Sequence, residues 1–188
     1  GISPRHITIS TVGLVPALLR LKDEPSIPNL AVSINAPNNE LRSQLMPINR
    51  TYPIEVLIDA LSQLPLRHRQ RITFEYVLLA GVNDSREMAQ QLIQVTAPIR
   101  CKINVIPFNP DPHLPYGRPD EDTINRFVET LSSGGRTVSV RRSRGPEISA
   151  ACGQLGTHFI DPGRIPLALT RNHRHEPDFA DRKTKGPS

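Results

Sequence analysis

"RITFEYVLLAGVNDSREMAQQLIQV", residues 71–95, holds a strand, a turn and a helix in one line. Arg71–Ala80 is rich in β-branched and aromatic residues, which favour a pleated strand. "GVNDS" then ends it with turn chemistry. Ser85 suits a helix N-cap, and Met88, Leu92 and Val95 follow on one side of that helix.

The same alternation extends in both directions. Upstream, "HITIS" (His6–Ser10) and "NLAVSIN" (Asn29–Asn35) read as strands, with a helix at "VPALLRL" (Val15–Leu21) between them. Pro53 suits the first turn of a further helix, which carries Ile54, Leu57, Ile58 and Leu61 on one face. Downstream, "KINVIPF" (Lys102–Phe108) and "TVSVR" (Thr137–Arg141) are strands. The helix between them starts at an Asp120 cap, bears Ile124, Phe127, Val128 and Leu131, and stops at Gly134. Strands alternating with helices predict an α/β fold with a parallel sheet. No internal repeat is present.

The chain has 188 residues, enough for one domain with a core. Its 37% hydrophobic and 22% charged content reads as globular and soluble. No apolar run is long enough to span a membrane, and "GISPRHITIS" lacks the apolar core of a signal peptide. Two cysteines, Cys101 and Cys152, make no disulfide framework and no CxxC, so no metal site is evident. Both points suggest a reducing, cytoplasmic location. The net charge of +5 favours a phosphate-rich partner, whereas 4% aromatics argues against a base-stacking platform. The six histidines show no metal spacing. From about Asp161 the chain turns basic and proline-rich, so residues 161–188 read as a mostly disordered tail behind a domain of residues 1–160.

In parallel α/β sheets the chemistry sits at the C-terminal strand ends. Ser10, the Ser33–Asn35 run, Asn83 and Asn109 fall there. Each alone reads as a turn residue bonding its own backbone. Together, on successive strands, they suggest a rim for a polar ligand. Glu75 faces opposite to Phe74 and Tyr76, either into the barrel or to solvent. Cys101 opens an apolar alternation and reads as core. Cys152 lies in "RRSRGPEISAACGQL", among small residues and after Arg141, Arg142 and Arg144. The residues alone leave it as a buried small side chain or as a thiolate favoured by those arginines.

The runs "ITISTVGLVPAL", "LAVSINAPNNELRSQLMPIN", "FEYVLLAGVND", "CKINVIPFNP", "PYGRP" and "RGPEISAACGQL" resemble a known family. They are similar to the radical S-adenosylmethionine (SAM) methyltransferases that methylate carbon 2 of an adenine in 23S rRNA and tRNA. The resemblance covers roughly residues 1–160 and leaves the tail out. It implies a partial radical-SAM (β/α) barrel, with roughly the last four core strands plus one extra strand. The cluster-binding CxxxCxxC, a helical N-terminal domain, the base and the resolving cysteine would all lie in a part preceding Gly1. The resemblance therefore makes the chain a C-terminal portion, expected to be inactive and poorly stable alone. That missing part, 23S rRNA, tRNA and an external electron donor are the implied partners.

Residue by residue, Ser10 corresponds to a SAM-binding serine and Ser33, Ile34 and Asn35 to a SAM-binding tripeptide. Asn109 corresponds to an asparagine at the adenosyl part, and Cys152 to the cysteine that becomes methylated. Arg141, Arg142 and Arg144 would hold RNA phosphates. The implied chemistry consumes two SAM molecules per turnover. One methylates Cys152, and the other is cleaved at a 4Fe–4S cluster to a radical that activates the S-methyl group. No metal ligand for that cluster is present in this sequence. Two alternatives stand beside this reading. One is the related branch that methylates carbon 8 of the same adenine. The other is a truncated, non-catalytic RNA-binding module. A barrel hydrolase lacks any paired carboxylates or Ser/His/Asp set.

Overall fold

The computed structural model describes residues 6–141. Its strands are β1 (Thr8–Thr11), β2 (Asn29–Ser33), β3 (Ile72–Leu78), β4 (Cys101–Pro107) and β5 (Thr137–Val140). The helices are α1 (Val15–Arg20), α2 (Asn39–Leu45), α3 (Ile54–Ser62), α4 (Arg86–Val95) and α5 (Glu121–Ser133). The strands lie in the order β1-β2-β3-β4-β5, and every neighbouring pair is parallel. Parallel neighbours need a crossover, and a helical segment supplies one in each gap. The expectation of an α/β fold with a parallel sheet holds, and among the described residues β1 and β5 are the edge strands.

Local chemistry sets the helix starts. Asn38, Ser85 and Asp120 each accept a hydrogen bond from the backbone N–H three residues on. Such caps contribute about 1 kcal/mol each. Pro53 is the exception to the sequence reading. It stands at the N-cap of α3 with ψ 161°, one residue before the first turn it was expected to occupy. Gly134 ends α5 as expected, but the left-handed turn falls on Gly135, at φ +78°.

One face of the sheet packs under helices. Leu30 and Val32 of β2, Phe74 and Tyr76 of β3, and Ile103 and Val105 of β4 meet Leu57 and Leu61 of α3, Leu92 of α4 and Phe127 and Leu131 of α5. All are buried, and each such side chain contributes about 1.5–3 kcal/mol by leaving water. Tyr76 and Phe127 stack with ring centroids 5.3 Å apart. A second apolar cluster gathers at the C-terminal side, where Leu41 and Leu45 of α2 meet Val77, Phe108 and Tyr116.

Candidate functional site

Side chains alternate along a strand, so the residues between the core positions face away from α3, α4 and α5. The register lines them up in two rows. Ser10 pairs with Ala31, Ala31 with Thr73, Thr73 with Lys102, and Lys102 with Thr137. The next row runs Ser33, Glu75, Asn104, Ser139. Ser139 Oγ donates to Asn104 Oδ1 at 3.0 Å. One face of this sheet is therefore apolar and the other presents hydroxyl, amide and carboxylate groups. Glu75 belongs to that polar face and is buried within it.

The C-terminal ends of β2 and β3 are tied by a buried amide network. Asn35 adopts φ +54°, a left-handed conformation that asparagine tolerates better than most residues. Its Oδ1 accepts from Val77 N at 3.0 Å, and its Nδ2 meets Met46 Sδ at 3.4 Å. Asn83 Nδ2 donates to Asn35 O and to Val77 O, both at 2.8 Å, while its Oδ1 accepts from Leu79 N at 2.7 Å. Tyr76 Oη donates to Asn83 O at 2.8 Å, and burial pushes the Tyr76 phenol well above its ordinary range. The Asn83 side chain is spent on backbone, and that of Asn35 on Val77 N–H and Met46 Sδ. For Asn83 this is the turn-residue reading. For Asn35 it means that the side chain builds the turn over β2.

Beneath the turn lies a residue that the sequence reading did not single out. Arg42 of α2 is fully buried. Its Nε donates to Ile34 O at 3.2 Å, and its Nη2 to Val12 O at 3.0 Å and Ser33 O at 3.4 Å. Its Nη1 donates to Asn49 Oδ1 at 2.8 Å. Burial lowers its pKa to about 10, so it stays charged at neutral pH. One guanidinium thus clamps the segment after β1 to the end of β2. Asn49 is held in turn by Asn39 and Ser43. A signal existed in "NNELRSQL": Asn38 before a short stretch with Leu41 and Leu45 four apart marks a capped turn of helix.

The other sequence-derived candidates distribute as follows. Ser33, Ile34 and Asn35 are buried together, Ser10 is exposed on edge strand β1, and Asn109 is half-buried just past β4. Ser10 and Ser33 share the polar face; Ser33 ends β2 and Asn109 follows β4, with β3 between them. Arg141 is exposed, and its N–H donates to Val105 O at 2.9 Å, prolonging the β4–β5 ladder. Arg142, Arg144 and Cys152 lie outside the described residues, as do the boundary at residue 160 and the tail. Cys101 is buried, and burial pushes its thiol up, which keeps it protonated and matches the core reading. A groove of about 1000 Å³ between α4 and α5 contains none of the candidate site residues.

Hydroxyls and amides on the polar face suit the ribose hydroxyls and ammonium group of a nucleoside-linked amino acid such as SAM. They do not suit an iron–sulfur cluster. Among the described residues no three His, Cys, Asp or Glu side chains gather to hold a metal. The whole chain has two cysteines, against the thiolates such a cluster takes. No helix among the described residues is long and apolar enough to cross a membrane.

The fold has solved counterparts. A radical SAM methyltransferase from Sphaerobacter thermophilus superposes with a TM-score of 0.76 at 49% identity, over 83% of this chain and 46% of that one. A domain of a pyruvate-formate lyase-activating enzyme from Bacteroides vulgatus shares the fold alone, with a TM-score of 0.54 at 14% identity. The described fold thus matches part of a radical SAM methyltransferase. In sequence the chain is 54% identical over 159 residues to the dual-specificity RNA methyltransferase RlmN of Syntrophobacter fumaroxidans, covering 85% of this chain and 46% of that protein. It is 49% identical over 174 residues to the RlmN of an Anaeromyxobacter species, covering 91% and 46%. Over most of its length the chain is thus similar to RlmN methyltransferases. It spans a little under half the length of these relatives. No protein-family model matches it.

Proposed function

We propose that this chain is part of a radical SAM methyltransferase that methylates carbon 2 of an adenine in 23S rRNA and tRNA. The observation that carries this reading is the 54% identity to a dual-specificity RNA methyltransferase across most of the chain. The polar face of the sheet supports it, because it offers binding groups where such a cofactor is held in α/β barrels. SAM, when bound, supplies the methyl group.

In this reading Ser10 and the Ser33–Asn35 segment hold SAM at the ends of β1 and β2, and Asn109 holds its adenosyl part beyond β4. Exposed Ser10 contributes a hydroxyl. Asn35 contributes shape, since its amide is bound to Val77. Arg42 keeps the first two segments in register. Cys152 carries the methyl group as S-methylcysteine; covalent catalysis divides a step that an electrophilic ring carbon cannot take by simple displacement. Arg141, Arg142 and Arg144 bring RNA phosphates to that thiol. The 4Fe–4S cluster, the electron donor and a cytoplasmic setting belong to the working enzyme. The cluster is not held by the described residues.

The test is mass spectrometry of the Cys152 peptide from cells expressing the chain, with analysis of the methylated adenine. One added methyl group on Cys152, taken from SAM by displacement before any radical forms, is expected where the chain works together with the preceding part. The methyl group of the product is expected on carbon 2. An unmodified Cys152 beside methylated RNA would overturn the carrier role, and a methyl group on carbon 8 would move the chain to the resistance branch. The purified 188-residue chain is expected to leave SAM uncleaved.

A further inference from the structure

The end of the sheet opposite the candidate site carries its own concentration of charge. Arg71, Arg100 and Arg136 each stand immediately before a strand, at the starts of β3, β4 and β5. Ile72 pairs with Cys101 and Lys102 with Thr137, so these strand starts lie side by side. Neighbouring strands are about 4.8 Å apart, which turns the three residues into one row. Lys102 follows on the polar face, and Arg67 and Arg69 come from the loop leading into β3. All but Arg136, which is half-buried, are exposed.

Among the described residues none of them is in an ion pair. Residues 64–73, 96–104 and 132–140 contain no Asp or Glu. The ion pair present among the described residues is Arg118–Glu121, at the start of α5. Several guanidiniums are nonetheless held in place by neutral acceptors. Arg71 Nη1 donates to Thr137 Oγ1 at 2.9 Å, Arg136 Nη2 to Ile93 O at 2.8 Å and Arg67 Nη2 to Ile27 O at 3.0 Å. Arg100 donates to His68 O. Like charges at this density repel one another, and a polyanion bound across them removes that cost.

We propose that the N-terminal end of the sheet is a second RNA-docking surface, which grips a phosphate backbone away from the strand presented to Cys152. It rests on RNA as the partner in the proposed function, but not on any chemistry at the thiol. Guanidinium forks match phosphate oxygens. A lipid surface is the poorer occupant, because membrane-lying faces pair their cations with apolar side chains. The exposed large hydrophobic residues, Ile7, Ile9, Val12, Leu14, Leu19 and Val56, do not lie in the loops before β3, β4 or β5.

The probe is a fluorescein-labelled RNA stem–loop, titrated with the full 188-residue chain at several salt concentrations. Arg69 and Lys102 make no hydrogen bond that the fold requires among those described, so Arg69→Gln with Lys102→Gln is the variant of choice. Its plot of log affinity against log salt is expected to lose about two from its slope. That makes the affinity loss between 50 and 200 mM salt smaller by roughly tenfold. The equal charge change Arg86→Gln with Arg126→Gln, on α4 and α5, is expected to leave the slope nearly unchanged. An unaltered slope in the first variant, an equal drop in the second, or tighter binding to phosphatidylserine vesicles than to RNA overturns the proposal. Should the double variant lose its parent's circular dichroism, each single substitution is expected to remove about one. Cys152→Ala is expected to bind RNA like the parent. An unmethylated Cys152 in cells together with the slope change would defeat the methyltransferase reading and leave this surface standing.

Discussion

Arg42 shows how much one side chain can decide. A buried cation is costly unless its donors are satisfied, and here no carboxylate helps among the described residues. Carbonyls of Val12, Ser33 and Ile34 and the amide of Asn49 do it instead. Arg42→Met leaves those buried acceptors without a donor, each worth about 1–3 kcal/mol. The variant is expected to lose at least about 3 kcal/mol, read as a lower urea midpoint at unchanged slope. Arg42→Lys keeps the charge without the planar fork and should fall between the two. A Met variant that unfolds at the parent's midpoint would sink this account of the β1–β2 clamp. Nothing in "ELRSQ" marks the arginine as buried, since arginine usually lies outside; its acceptors come from residues up to 30 positions away.

Elements whose ends are set locally were legible in sequence. Ser85 and Asp120 cap α4 and α5 as their positions before amphipathic stretches imply. Asp120 also stands ahead of Glu121 and Asp122, which adds negative charge at the positive end of the helix. Asp120→Ala is expected to cost about 1 kcal/mol, seen as a small drop in melting temperature, with Asp120→Ser near the parent. Equal melting of all three would show that the Thr123 N–H finds another acceptor. The short α2 had only its Asn38 cap and the Leu41–Leu45 spacing to mark it. It spans seven residues and is held by Leu41 and Leu45 against Val77 and Phe108, contacts that no window of sequence displays. Pro53 illustrates the same boundary: its ring allows both the cap and the first turn, and packing of Ile54 and Leu57 chose the cap.

At the scale of the molecule, β1 is an edge strand among the described residues. Ile7, Ile9, Val12, Leu14 and Leu19 are exposed along it and α1. Ile9 pairs with Leu30 and so faces the side where other strands are covered, yet it is 41% exposed. An apolar parallel edge invites pairing with another chain. The chain alone is expected to self-associate at micromolar concentration, and Ile9→Lys to reduce this. Sedimentation velocity checks it, and a parent that stays monomeric would refute it. The sequence by itself determined the α/β class, the parallel sheet and the family resemblance, because strand and helix periods and turn chemistry are local, and because runs such as "INVIPFNP" are specific in themselves. It also placed Ser10 and Ser33 at strand ends. Only the tertiary structure decided that the Asn35 and Asn83 side chains are spent inside the fold, that Arg42 is the clamp, and that Arg71, Arg100 and Arg136 form one row. Each of those facts depends on which strands lie side by side. Register between segments tens of residues apart is a product of packing, which no single stretch of chain contains.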